Sequence, residues 1–285
     1  MLGTDLCADL TARGHDFVAT DVREPFTPLD ITDTRAVRAA LAEHRPDAVI
    51  HCAAWTDVDG AERNPEAAYK VNALGSWNIA AACADANTWM LHVSTDFVFD
   101  GDKPGGAPYT EFDATNPLGH YAASKEAAER LVRQTLPARH VIARTAWLYG
   151  VHGKNLPYVI LNAAKTRPEL TFVSDQIVCP THTADLSRKL IDLMENPLPG
   201  TYHVCSAGAC SLFEFAQAVV ANAGLTTPVV SITLAEFEAR FNPPAKRPRA
   251  TPLRRLALEM RGMDDLPSWQ DALKDFFARL PDDKR

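Results

Sequence analysis

The stretch HYAASK places Tyr121 and Lys125 four residues apart on a predicted helix, so both fall on one face. A phenol titrates near ~10, and an adjacent ammonium favours its anion, which brings that value down toward the working pH. Such a phenol can hand a proton to a carbonyl oxygen or take one back. Upstream, HVSTDFVFDG ends an apolar strand pattern with Ser94 and Thr95. That puts hydroxyl donors at a carboxyl edge, where a doubly wound sheet receives its ligands. Each feature also has a plainer reading: Tyr121 and Lys125 as an exposed neighbour pair, Thr95 as a hydroxyl closing a turn. Asn72, polar inside the apolar stretch KVNALG, needs a partner if it is buried. It either bonds a backbone group or helps to hold the lysine through water.

The elements that must position these residues are legible as an alternation. Leu2, Leu6 and Leu10 recur at helical spacing until Gly14, and Phe17-Val18-Ala19 reads as a short buried strand ending in Asp21. Thr32 or Asp33 caps a helix to about His44, AVIHCAAW is a strand apolar on both faces, and Asn64-Pro65 opens the next helix. Strand WMLHVST, the helix of HYAASKEAAERLVRQTL and strand HVIARTAWLYG follow. LTFV, THTADLSRKLIDLMEN and TYHVC continue the alternation, while SLFEFAQAVVANAG and SWQDALKDFFARL, the latter opened by Ser268 and Asp271, belong to an appended lobe. The predicted fold is α/β, a doubly wound, Rossmann-like parallel sheet with a smaller C-terminal substrate-binding lobe. Residues 1–150 with 171–204 are expected to form the dinucleotide-binding part, and 151–170 with 205–285 the substrate lobe.

Gly3, opening a helix, and Asp21, eighteen residues later, fit the last glycine of a dinucleotide fingerprint and its ribose-binding acid. Turn punctuation explains the same two residues. The net charge of −7 argues against a nucleic-acid partner. The exception is KRPRATPLRR, Lys246 to Arg255, with five cations in ten residues. It reads as a nucleic-acid or targeting patch, a solvated loop, or a clamp for a small anion, and the acidity of the remaining chain favours the last two. Six cysteines show no C-x-x-C pair and no histidine at metal-ligand spacing, so reduced thiols and no metal are expected. No apolar run approaches the ~20 residues of a membrane span, and no secretory signal follows Met1. The expected location is the cytoplasm.

Taken together, HCAAWTDVDGAERNPEAAYKVNALG, VSTDFVFDG, NPLGHYAASKEAAE, RTAWLYG, DQIVCPTHTADL and the RP element of KRPRATPL resemble the dTDP-4-dehydrorhamnose reductase family of the extended short-chain dehydrogenase/reductase superfamily. The resemblance implies NADPH or NADH as cofactor, a dTDP-sugar as substrate, and a monomer or homodimer. It makes Tyr121 the general acid at a 4-keto oxygen, Lys125 the ligand of the nicotinamide ribose, and Thr95 a second donor to that oxygen. Gly3, Asp21, Asp30, Ile31, Ala53, Ala54 and Asn72 join Tyr121 and Lys125 around the cofactor. Asp96, Trp147 and Arg247 join Thr95 at the substrate, with Arg247 on the diphosphate; Trp147 as a core residue stays open. Asp21 would favour NADH through a ribose hydroxyl, whereas Arg23 could hold a 2′-phosphate. Related dehydratases carry Thr-Asp-Glu at the strand end. Here Phe97 replaces the glutamate, which removes the second base and favours simple carbonyl reduction.

Family members begin with a strand and G-x-x-G-x-x-G, of which Gly3 is the part seen here. Loss of a central strand leaves ladder groups unpaired at roughly 1 to 3 kcal/mol each. The expectation is therefore a start site assigned about a dozen codons late, with Met1 internal to the full protein. For a chain beginning at Met1, the expectation is weak or no cofactor binding. The alternative in that case is a noncatalytic nucleotide-sugar-binding or regulatory protein on the same fold.

Overall fold

Apolar runs punctuated by turn residues give the strands. In the computed structural model, which describes residues 1–281, β1 is Thr20–Asp21, β2 Thr27–Pro28, β3 Ala48–His51, β4 Trp89–Thr95, β5 His140–Thr145 and β6 Leu148–Tyr149. They are followed by β7 Leu170–Val173, β8 Ile177–Val178, β9 Thr181–His182, β10 Gly200–His203, β11 Cys210–Ser211 and β12 Val229–Ile232. The helices are α1 Leu2–Ala12, α2 Thr34–His44, α3 Val58–Arg63, α4 Pro65–Tyr69, α5 Ser76–Ala86 and α6 His120–Thr135, with a π-helical stretch over Lys70–Gly75. The remainder are α7 Leu156–Ala164, α8 Thr183–Glu195, α9 Leu212–Asn222, α10 Leu234–Phe241, α11 Leu256–Met260 and α12 Trp269–Arg279.

The central sheet is parallel, in the order β10-β5-β4-β3. Successive side chains of a strand point to opposite faces, and the core divides accordingly. Met90 and Ile142 pack with Val37, Leu41, Ile79 and Val132 of α2, α5 and α6. Leu91, Val141 and Ala143 pack on the other face with Leu2 and Leu6 of α1, Leu186 and Leu190 of α8, and Leu258 of α11. Full burial of each large aliphatic side chain contributes about 1.5–3 kcal/mol, so both helical layers are held by the strands between them. Caps fix where the helices begin. Asp33 accepts from the backbone of Arg35 and Ala36 at the start of α2, and Ser211 and Glu214 form a reciprocal capping box on α9.

Two expectations are corrected. The segment Phe17-Val18-Ala19 is not a buried strand: pairing is confined to Thr20–Asp21, and Phe17 and Val18 are 41% and 48% exposed. An apolar triplet is buried only where another layer covers it, and β1 pairs with β2 alone, apart from the central sheet. Likewise β7 does not continue the main alternation but pairs with β12. There it packs with α7, α9 and α12 around Ile160, Leu161, Phe215, Val219, Leu273 and Phe276, a core separate from the two flanking the sheet.

Candidate active site

Thr95 ends β4 and caps the short turn after it, its Oγ1 accepting from the Phe97 amide at 3.2 Å. This holds the hydroxyl at the carboxyl edge of the sheet, one ladder step beyond Ser94. Tyr121, from the first turn of α6, stands next to Thr95, whose hydroxyl acts on the phenol, and its ring meets Phe97 edge-on at 6.1 Å. The two residues that the resemblance assigns to one substrate oxygen are thus neighbours at this edge.

The expected electrostatics are not. The Lys125 amine turns inward, donating to the Val93 carbonyl at 2.7 Å and lying 3.2 Å from Nε2 of His92. Without an ammonium beside it, the Tyr121 phenol is pushed up to about 12 by burial, with the Asp96 carboxylate adding to the effect. Burial also brings the Lys125 amine down to about 8. One helix face holds both residues, but the longer lysine chain reaches past the phenol to the backbone of β4.

The polar groups below this pair are mostly buried and paired, Nη1 of Arg144 and Nδ1 of His92 being left without a partner. Asn72, fully buried in the π-helical stretch, accepts from the Trp55 amide at 2.7 Å and donates to Trp55 O and Ser124 Oγ at 3.0 and 2.9 Å. Of its two sequence readings, the backbone partner is observed, and the amide ties the Ala53–Trp55 loop to α6. Glu129 of α6 accepts from Ser94 Oγ at 2.6 Å and from both Nε and Nη2 of Arg144 at 2.9 and 2.8 Å. The Arg144 and Ser94 bonds, with Arg133 nearby, keep its carboxyl below the usual range despite burial. At the start of α6, Glu62 accepts from the His120 amide at 2.6 Å. Asp96 lies beneath Thr95, bonded to Thr251 Oγ1 at 2.6 Å and Thr95 Oγ1 at 3.2 Å, and burial raises its carboxyl to about 7.

A cavity of about 420 Å³ opens beside Phe97 between the sheet and the C-terminal elements. Trp147, Tyr149, Phe172, Phe215 and Phe237 make it apolar, and Gln176 and Arg247 supply its polar points. Trp147, in a left-handed conformation at φ 42°, lines the cavity while also packing on the Val98–Phe99 core. Asp96 is not among the lining residues. Among the five cations of KRPRATPLRR, Arg254 and Arg255 pair with Glu259 and Asp264, and Arg247 alone lines the cavity. Sequence reasoning missed Gln176, although the DQIVCPT run pointed to it, and missed Phe172 and Phe237, which carry no local signal.

The remaining candidates lie outside the cavity, on α1, on the separate β1–β2 pair and the turn after it, and just past β3. Gly3 is exposed in α1 with open space where a side chain would stand, and Ala53 is exposed just past β3. Asp21 and Asp30 are exposed acceptors, Asp30 fixed by the Thr32 amide at 2.8 Å and held below the usual range by it. Ile31 is buried against Gly75. Gly3 near the start of α1, the uncovered Ala53 and the carboxylates of Asp21 and Asp30, able to accept from ribose hydroxyls, are each of the kind a dinucleotide uses.

Sheet, edge and phenol–threonine pair define a member of the extended short-chain dehydrogenase/reductase class. Residues 1–281 match the model of the RmlD substrate binding domain family. The spore coat polysaccharide biosynthesis protein SpsK of Bacillus subtilis is 36% identical, over 96% of this chain and 93% of that protein. A dTDP-4-dehydrorhamnose reductase of Streptomyces griseus is 37% identical, over 98% of this chain and 91% of that protein. The crystal structure of a dTDP-4-dehydrorhamnose reductase of Bacillus anthracis in complex with NADP superposes with a TM-score of 0.90 at 37% identity, covering 97% of this chain and 95% of that one. The chain belongs to the dTDP-4-dehydrorhamnose reductase family, a family of NAD(P)-dependent sugar-nucleotide oxidoreductases.

Proposed function

We propose that the protein reduces the 4-keto group of a dTDP-4-keto-6-deoxy sugar, dTDP-4-dehydrorhamnose to dTDP-L-rhamnose, with Tyr121 as general acid. The observation that carries this is the hydroxyl pair of Tyr121 and Thr95, set at the carboxyl edge of β4 beside an apolar cavity with Arg247 on its wall. Burial keeps the phenol protonated at neutral pH, the form a proton donor needs. A ketone oxygen seated against both hydroxyls takes the Tyr121 proton as charge develops on it, and Thr95 stabilises that charge with a hydrogen bond.

Gly3, Asp21, Asp30, Ile31, Ala53 and Ala54 would hold NADPH or NADH, and Lys125, with a third N–H beyond those facing Val93 and His92, would hold the ribose. When bound, the reduced nicotinamide supplies the hydride. Asn72 acts through the loop it anchors, and Asp96 acts by fixing Thr95. Phe97, where a dehydratase has its glutamate, removes that base, which supports reduction without loss of water. Trp147 and its aromatic neighbours exclude water around the sugar, and Arg247 meets the diphosphate. Residues 1–150 carry the cofactor, and the C-terminal lobe with β7 carries most of the cavity.

The test follows NADPH and NADH oxidation at 340 nm, on the order of the nicotinamide absorption maximum, with dTDP-4-dehydrorhamnose as substrate. Tyr121→Phe is expected to lose roughly 10²–10⁴-fold in kcat while keeping its melting temperature. Equal rates in wild type and variant, or no oxidation by either, would remove this reading.

A further inference from the structure

The segment VDGAE lies on α3, a helix capped by Asp57 through the Gly60 amide at 2.8 Å, and none of its residues lines the cavity. Its Asp59 nevertheless reaches the substrate side. One carboxylate oxygen accepts from the Ala245 amide at 3.2 Å and the other from Nη2 of Arg247 at 3.0 Å. The second terminal nitrogen of Arg247 donates back to the Ala245 carbonyl at 3.1 Å. Both ends of the guanidinium fork are thus engaged while its side chain stands on the cavity wall. A guanidinium recognises a phosphate best through two parallel N–H donors. Three of its five N–H donors are left by these two bonds, but the charge that a diphosphate would meet is already shared with Asp59.

We propose that Asp59 is an internal stand-in for the substrate's diphosphate: its carboxylate occupies Arg247 and is exchanged for the incoming phosphates. This deepens the proposed function and rests on its assignment of Arg247 to the diphosphate. The exchange is favoured because a diphosphate carries more charge and more acceptors than one carboxylate. The second bond of Asp59, to the Ala245 amide, survives the exchange and keeps the loop docked on α3, so the guanidinium swings without the loop leaving. Asp59 is accordingly a positioning residue that sets affinity, outside the reacting atoms. The pair is half-buried, with side-chain exposures of 24% and 31%, so the competition is moderate.

The experiment is isothermal titration of the full chain with dTDP, in wild type, Asp59→Asn, Arg247→Ala and the double variant. Asparagine keeps an acceptor for Ala245 and loses the charge that holds Arg247. Asp59→Asn is expected to bind dTDP about two- to fivefold more tightly. Arg247→Ala is expected to bind about tenfold more weakly, and the double variant to match Arg247→Ala. In turnover, Asp59→Asn lowers KM and leaves kcat in place. Asp59→Ser, which also removes the charge, is expected to shift dTDP affinity in the same direction and covers the case of an unstable asparagine variant. If Arg247→Ala weakens binding but both Asp59 variants bind dTDP equally or more weakly than wild type, the stand-in is overturned and the diphosphate assignment survives. If Arg247→Ala changes nothing, the assignment itself fails and takes the stand-in with it.

Discussion

The carboxyl edge of the central sheet and the separate β1–β2 pair are built differently. Around β4, β5 and α6 most polar groups are buried and paired: Glu129 with Arg144 within the core, Asn72 between a loop and a helix, Asp96 between two threonines. Around β1 and β2 the strands are two residues long, and Asp21, Arg23 and Asp30 stand exposed. Buried networks fix geometry because each member has few alternatives, whereas exposed groups reorganise cheaply. The first region is therefore suited to holding a proton donor against one atom, and the second to recognising a ligand through adjustable contacts.

Substitutions should separate the two. The largest effect on the fold is expected at Glu129→Ala, which leaves Arg144 buried beside no counter-charge. A loss of about 3–5 kcal/mol is expected from the denaturant midpoint. A loss under ~1 kcal/mol would show that the network is dispensable and dissolve the contrast. Next comes the pH response. Burial raises the Asp96 carboxyl from an ordinary value near ~3.9 to about 7, so folding takes up a proton between those values. The stability from this group is present at low pH and is lost as the pH rises toward about 7, after which it levels. Asp96→Asn is expected to flatten that slope in melts across the window, and an unchanged slope would place its origin elsewhere. The smallest effect is expected at the exposed β1–β2 pair. Asp21→Ala should weaken NADH, and Arg23→Ala should weaken NADPH, each by about tenfold or less in Kd with the melting temperature held, because neither residue supports the core.

The sequence carried the parts of this arrangement that are local. A Ser, Thr or Asp before a periodic run marks a helix start, as at Asp33 and Ser211, and the Tyr121–Lys125 spacing needs only one helix. Long-range pairings were not legible. Nothing near Glu129 announces Arg144, and nothing near Asp59 announces Arg247 across 188 residues. The depressed phenol failed for a related reason: a shared helix face fixes where two Cα–Cβ bonds point, while the partner of a long, flexible lysine is decided by the acceptor nearest its end. Phe17 and Val18 show the converse, since apolar character states what a segment tolerates and says nothing of what lies across from it.

The wide turn at Lys70–Gly75 makes the number of residues in this stretch a structural requirement. Because the helix holds a surplus residue at that point, removing one amino acid would let it relax to ordinary winding, with the flanking helices keeping their faces and the residues inside the turn rotating relative to them by up to roughly 100°. The Asn72 amide would then face away from both the Trp55 backbone and Ser124, and the catalytic helix would lose its tether to the loop after β3. A single-codon deletion in this stretch is thus a frame error in three dimensions, with the reading frame of the gene intact.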